Sequence, residues 1–251
     1  MKIDIWKPYM TYVVLIIIFV VLVILALVQN IIQIKELVVA TLPLAGTFLG
    51  AMFAFRLNEN KEARKLLLIQ RQSLNRSLFI LIRQANAVRQ LKEIFDTKST
   101  QFEQAFNVPA VKSHEYTDLK QNFTDLEFLL ESADPQILFK LTIEQERFDQ
   151  TIESYNLRNK FYVEEVQPAV ERLALNGKSI TLQDAKLQLG ERIFGTAMNG
   201  AKNAVFHINS SAISIPLMHA DMLDLARTLF VGERFIQYKF EKITPTSQYY
   251  M

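Results

Sequence analysis

His219, Asp221 and Asp224 lie within six positions of one another, and their side chains are of the types that hold a metal ion. Chemistry there would need the three groups to converge, but side chains two apart leave a helix on different sides. No metal site is expected. His207 and His114 have no serine or carboxylate at a spacing that suggests a proton relay. Gly190, Gly195 and Gly200 recur every five residues, which fits neither the phosphate-loop nor the dinucleotide fingerprint. No G-x-S-x-G nucleophile elbow occurs. The chain has no cysteine, so disulfides, thiolate zinc sites, iron–sulfur clusters and cysteine nucleophiles are excluded. Neither catalysis nor a cofactor is expected.

The elements that would carry any site begin with two apolar runs. Residues 13–28 are apolar without a break, and residues 37–55 contain no charge. Met10–Val28 and Leu37–Phe55 are nineteen residues each, roughly 28 Å of helix at about 1.5 Å per residue. That length matches a hydrocarbon core about 30 Å thick, and both are expected to span a membrane. A cleaved signal peptide fits the first run poorly, because Asp4 precedes it and no A-x-A site follows. Lys2 and Lys7 flank the first run, with Trp6, Tyr9 and Tyr12 as interfacial anchors. The connection Gln29–Glu36 carries only Lys35 and Glu36, whereas Arg56, Lys61, Arg64, Lys65, Arg71 and Arg76 follow the second run. The positive-inside rule then puts both termini in the cytoplasm of a two-span inner-membrane protein. The domains expected are a transmembrane hairpin over 1–56 and a cytoplasmic helical region over 57–251.

The spans differ in character. The first is built of Val, Ile and Leu; the second carries Pro43, where a kink is expected, and the small residues Gly46, Gly50 and Ala54 at four-residue spacing. Close backbone approach drives helix association in lipid, and Gly-x-x-x-Gly supplies a flat face for it. That face serves either the first span of the same chain or a second copy of the protein. Neither span holds an Asp, Glu, Lys, Arg or His, which argues against a proton relay or transport site.

Beyond the spans the pattern is helical. Leu67, Leu74, Leu78, Leu81, Ala85, Val88 and Phe95 recur by threes, fours and sevens, the mark of an amphipathic helix. Between Arg56 and Lys92, nine Lys/Arg face Glu59 and Glu62, a net of +7. Arg56, Lys61, Arg64 and Lys65 stand close enough to the bilayer to meet anionic headgroups. A polar connection over 97–113 contains Pro109, and a helix is expected from His114 to Glu131. Asp134-Pro135 opens the next helix, running towards Leu175 through Pro168, with Asn176-Gly177 as its stop. Between Ser113 and Glu171, thirteen Asp/Glu face five Lys/Arg, a net of −8. The basic and acidic helices are expected to dock on each other. Thr181-x-x-Asp184 opens a helix to about Ile208, and Ser214 with Pro216 opens a last one reaching Lys242. No alternating strand pattern occurs. The fold class is all-α, a two-helix hairpin followed by a bundle of long helices. The glycosylation triplet Asn122-Phe123-Thr124 falls on the cytoplasmic side, where it has no meaning. The basic helix carries Leu and Ile rather than interleaved aromatics, so no direct nucleic-acid site is expected.

At Leu129-Leu130-Glu131-Ser132-Ala133-Asp134-Pro135 and Arg158-Asn159 the chain resembles bacterial inner-membrane proteins with a two-helix anchor and a helical cytoplasmic region. Its layout is similar to that of the two-transmembrane effectors encoded with retron reverse transcriptases in antiphage defence. The resemblance implies an effector held silent by a reverse transcriptase–nucleic acid complex or another regulatory protein, and released on infection to compromise the membrane. It assigns no functional residue.

Two functional readings follow. The first is a membrane-perturbing effector that acts on lipid as a homo-oligomer, since two helices per subunit cannot enclose a pore. The second is a membrane-tethered adaptor or scaffold whose helical region recruits a cytoplasmic partner.

Overall fold

The structure is a computed structural model that describes residues 34–111, 116–173, 175 and 181–240, with Ile18, Val21, Ile24 and Leu25. The rest of the first apolar run, the anchors Lys2, Trp6, Lys7, Tyr9 and Tyr12, His114, the Asn176-Gly177 stop and the tail after Phe240 lie outside the described residues. The chain divides into two units, Met1–Leu66 and Leu67–Met251. The described residues are helical with no strand, so the fold is all-α. Among them no helix is long and apolar enough to cross a membrane. The first apolar run and the start of the second fall largely among positions or side chains outside that description.

Helix α1 runs unbroken over Ile34–Asp96 and contributes to both units. In the first unit, the side chains from Leu42 to Leu66 are all exposed. In the second, the expected apolar stripe is buried from Leu74 onward, at Leu74, Leu78, Leu81, Ala85, Val88 and Phe95, whereas Leu67, expected to begin it, is exposed.

The polar connection after α1 holds an element that the sequence reading passed over, the short helix α2 (Gln101–Phe106). It forms because Thr100 and Glu103 make a reciprocal capping box. Glu103 N donates to Thr100 Oγ1 at 3.2 Å, and Thr100 N donates to Glu103 Oε2 at 3.0 Å. The helix expected from His114 to Glu131 is corrected: Thr117–Leu119 and Thr124–Glu131 are 3₁₀ turns. Tertiary hydrogen bonds compete for this backbone. Gln84 Nε2 donates to Leu119 O at 2.8 Å, and Gln121 N donates to Gln145 Oε1 at 3.1 Å, so glutamines of the neighbouring helices take groups that an α-helix would have paired internally.

Helix α3 (Gln136–Phe161) continues into a π-turn at Tyr162–Val166 and then α4 (Gln167–Arg172). Pro168 therefore interrupts the helix as expected, and its cause is visible. Proline has no N–H to give the preceding turn, and the register shifts just before it, with Gln167 N donating to Tyr162 O five residues back.

Helix α5 spans Leu182–Leu229. Thr181 caps it, accepting from Asp184 N at 3.1 Å. Gly190 has a φ of +77°, a left-handed conformation that suits glycine and bends the first turns away from the rest. The division expected between Ile208 and Ser214 does not occur, because Pro216 lies inside α5. Buried Ile208, Ala212, Ile215 and Met218 hold both sides of the proline against the core. The helix ends at Leu229 rather than at Lys242, and residues 233–240 follow without regular secondary structure. That segment is tied to α1 by Ile236 N donating to Asn75 Oδ1 at 2.9 Å and by an Arg71–Glu233 ion pair.

The second unit has two apolar centres. The larger unites the buried faces of α1, α3 and α5 with Leu119, Leu126 and Leu129 of the 3₁₀ turns. The smaller joins α4, the start of α5 and α2 around the rings of Phe102, Phe106 and Phe194, whose centroids lie 5.0 to 6.5 Å apart.

Candidate functional site

The residues expected to serve the membrane, Pro43, Gly46, Gly50, Ala54, Arg56, Lys61, Arg64 and Lys65, all fall on α1. Gly46, Gly50 and Ala54 are exposed on one uninterrupted helix, and a Cβ at Gly46 or Gly50 would meet nothing within 4 Å. The helix continues through Pro43, whose carbonyl accepts from Thr47 Oγ1 at 2.9 Å. Arg56, Lys61, Arg64 and Lys65 are exposed, and none has an ion-pair partner among the described residues. The expected docking of basic on acidic segments appears as two exposed pairs, Arg83–Asp118 at 2.6 Å and Arg76–Asp125 at 3.9 Å. Pairs this exposed are worth at most about 1 kcal/mol each.

The most organised polar centre was not legible as a site. Arg158 is buried at 4% exposure, and no carboxylate pairs with it among the described residues. Its Nη2 instead donates to three main-chain carbonyls, those of Gln104 (3.1 Å), Ala105 (3.0 Å) and Val108 (2.7 Å). Nη1 donates to Asn159 Oδ1 at 3.0 Å. The guanidinium thus caps the C-terminal end of α2, where unpaired carbonyls carry partial negative charge. It also lies 4.8 Å from the Tyr162 ring centroid and 5.7 Å from that of Phe95. Burial pushes its pKa down, while Tyr162 and Tyr155 act in the opposite sense. Neighbouring side chains complete the clamp. Tyr155 Oη (3.2 Å) and Asn159 Nδ2 (2.8 Å) donate to Val111 O, and Tyr162 Oη donates to Phe106 O at 3.2 Å. Tyr155, Arg158, Asn159 and Tyr162 share one face of the helix by spacing. Their shared spacing was therefore visible in the sequence, but the main-chain carbonyls that they address were not.

On the other side of Arg158 lies a cavity of about 290 Å³ between α3, the π-turn and α5. Leu157, Phe161 and Val166 supply carbon on one wall, and Ala197 and Gly200 keep the opposite wall shallow. At Gly200 an added Cβ would stand 3.8 Å from Arg158 Cγ, ordinary contact distance. Ser154, Thr196, Asn199 and Asn203 bring hydroxyls and carboxamides to the same space.

Two further titratable groups are buried. Glu144 accepts from Ser214 Oγ at 2.7 Å and Arg147 Nη1 at 2.9 Å, and burial raises its pKa against these opposing contacts. His219 is 3% exposed, packs edge-on to Phe240 with centroids 5.3 Å apart, and its Nε2 has no hydrogen-bond partner among the described residues; burial lowers its pKa. His219, Asp221 and Asp224 do not assemble a ligand set, and among the described residues no group of three His, Cys, Asp or Glu side chains could hold a metal ion. The chain matches no protein-family model, no curated protein and no solved structure.

Proposed function

We propose that this chain is an effector anchored in a bacterial inner membrane, with both termini in the cytoplasm, and that it oligomerises and disrupts membrane integrity when a regulatory partner releases it. The observation that carries this reading is the state of α1 around Gly46 and Gly50. Leu42, Leu44, Phe48, Leu49, Phe53 and Phe55 are exposed all round a helix whose glycine face is unfilled. A helix apolar on every side is stable only when buried or in lipid. Together with the uncharged run 37–55 and the apolar run 13–28, that favours a transmembrane hairpin. The cations Arg56, Lys61, Arg64 and Lys65 then begin where such a span would meet headgroups, each worth about 1 kcal/mol at an anionic surface. Gly46, Gly50 and Ala54 give copies of the span a face for close approach. Because the apolar runs contain no ionisable residue, oligomeric rearrangement or bilayer thinning suits the chain better than a selective pore.

A second reading, a membrane-tethered adaptor, is favoured by the second unit. Phe139 and Leu157 of α3 and Phe206 and Leu217 of α5 are 62–68% exposed, large apolar side chains open to a partner. Exchanging residues 1–56 for an unrelated two-span hairpin separates the two. The effector loses toxicity to the host cell with its own spans gone, whereas an adaptor keeps its function on any anchor of the same topology.

A further inference from the structure

We propose that the cavity between α3, the π-turn and α5 is a binding site for a compact aromatic molecule that carries a hydrogen-bonding group and no positive charge. Its volume of about 290 Å³ stands at the lower end of the range for small-molecule pockets. A bicyclic ring system fits that space, and a nucleotide-sized cofactor fills it beyond its limit.

The lining selects the chemistry. Ser154, Thr196, Asn199 and Asn203 reach the cavity, and none of the four makes a hydrogen bond or ion pair among the described residues. Hydroxyls and carboxamides both donate and accept, so they suit a phenol, an amide, a ring nitrogen or a carboxylate equally. Asn199 and Asn203 stand one turn apart on α5 and so address one edge of a ligand. Gly200, between them, carries no side chain, so that wall stays low opposite the carbon of Leu157, Phe161 and Val166, which suits an apolar ring.

Charge narrows the class further. No Asp or Glu lines the cavity, so a cationic ligand would find no counter-charge. The floor carries Arg158, a buried guanidinium answered by carbonyl dipoles and not by a carboxylate. Its field favours an anionic or electron-rich ring over a cation. The π-turn that precedes Pro168 shapes the same space. It widens the helix at Tyr162 and Val166, both of which line the cavity, and such single-turn bulges recur at functional sites. None of this depends on the membrane reading of α1, since every residue involved belongs to the second unit.

Three probes that share one ring system test the proposal on the full chain in nanodiscs: 2-naphthol, 2-naphthoate and 2-naphthylmethylammonium, followed by equilibrium dialysis. Empty nanodiscs give the lipid partition to be subtracted. We expect saturable binding of the naphthol and the naphthoate, with the ammonium at least about tenfold weaker, a difference of about 1.4 kcal/mol. Gly200→Leu places a branched side chain in the cavity and should abolish binding, while Asn199→Ala/Asn203→Ala, at exposed positions, should weaken it with the thermal midpoint unchanged. Absence of saturable binding to the wild-type chain overturns the proposal. So does binding that persists in both variants, or an ammonium probe that binds as tightly as the naphthoate.

Discussion

Arg158 Nη2 donates to the carbonyl oxygen of Val108 at 2.7 Å across fifty residues of chain. The bond fastens the segment leaving α2 to the middle of the second unit, and it does so with a charge that has no carboxylate partner. Such an arrangement works because helix-terminal carbonyls are already short of donors. The arginine supplies several at once in a planar fork that lysine cannot reproduce.

Replacing Arg158 should therefore be costly. Arg158→Met leaves the Gln104, Ala105 and Val108 carbonyls buried without their donor, and we expect a loss of about 3 kcal/mol in urea unfolding at unchanged m-value. Arg158→Lys should recover only part of it, because an ammonium has no second nitrogen for Asn159 Oδ1 and no planar face to lay against the Tyr162 ring. Equal stability of the methionine variant and the wild type would show that the clamp is dispensable.

Glu144 is expected to make the second unit more stable in mild acid. Burial is the leading influence on its carboxyl and raises its pKa above the unfolded value, despite Ser214 and Arg147. The native state then holds this proton more tightly than the unfolded chain, so the contribution is full below the unfolded pKa and is lost as pH rises through the folded one. Glu144→Gln keeps an acceptor for Ser214 and removes the buried charge. We expect a higher thermal midpoint than wild type near about pH 7, with the difference closing near about pH 4.

The opposite sign holds at His219. Burial depresses its pKa, so the neutral imidazole stabilises the fold above the unfolded value of about 6.5, and that stability is lost as pH falls through the lower, folded value. In His219→Leu the packing against Phe240 is retained in part and the titration is gone. Urea midpoints measured between about pH 7.5 and about pH 5 should fall less steeply in this variant than in wild type. Parallel slopes would mean that His219 does not titrate on folding.

The sequence made some of this legible and hid the rest for identifiable reasons. The stripe from Leu74 to Phe95 was plain because one amphipathic face meets one core. Pro216 misled because proline usually opens or breaks a helix, whereas here burial of Ile215 and Met218 on either side carries α5 through it. The 117–131 segment carried a helical pattern, but Gln84 and Gln145, distant in sequence, bind its backbone. The Thr100/Glu103 capping box was readable and marks α2. The Arg158 clamp was not, since its acceptors are main-chain oxygens that no residue type announces. Gly46, Gly50 and Ala54 were found by spacing alone.

The central claim is that the Gly46/Gly50 face of α1 assembles the membrane-active form. It is tested most directly by the fluorescence of a potential-sensitive dye in bacteria that express the full chain or its Gly46→Ile/Gly50→Ile variant at equal membrane level. We expect depolarisation by the wild-type chain and a preserved potential in the variant, whose branched side chains hold the backbones apart. Equal depolarisation by both, or none by the wild type at confirmed membrane insertion, would contradict the claim and leave the adaptor as the reading to pursue.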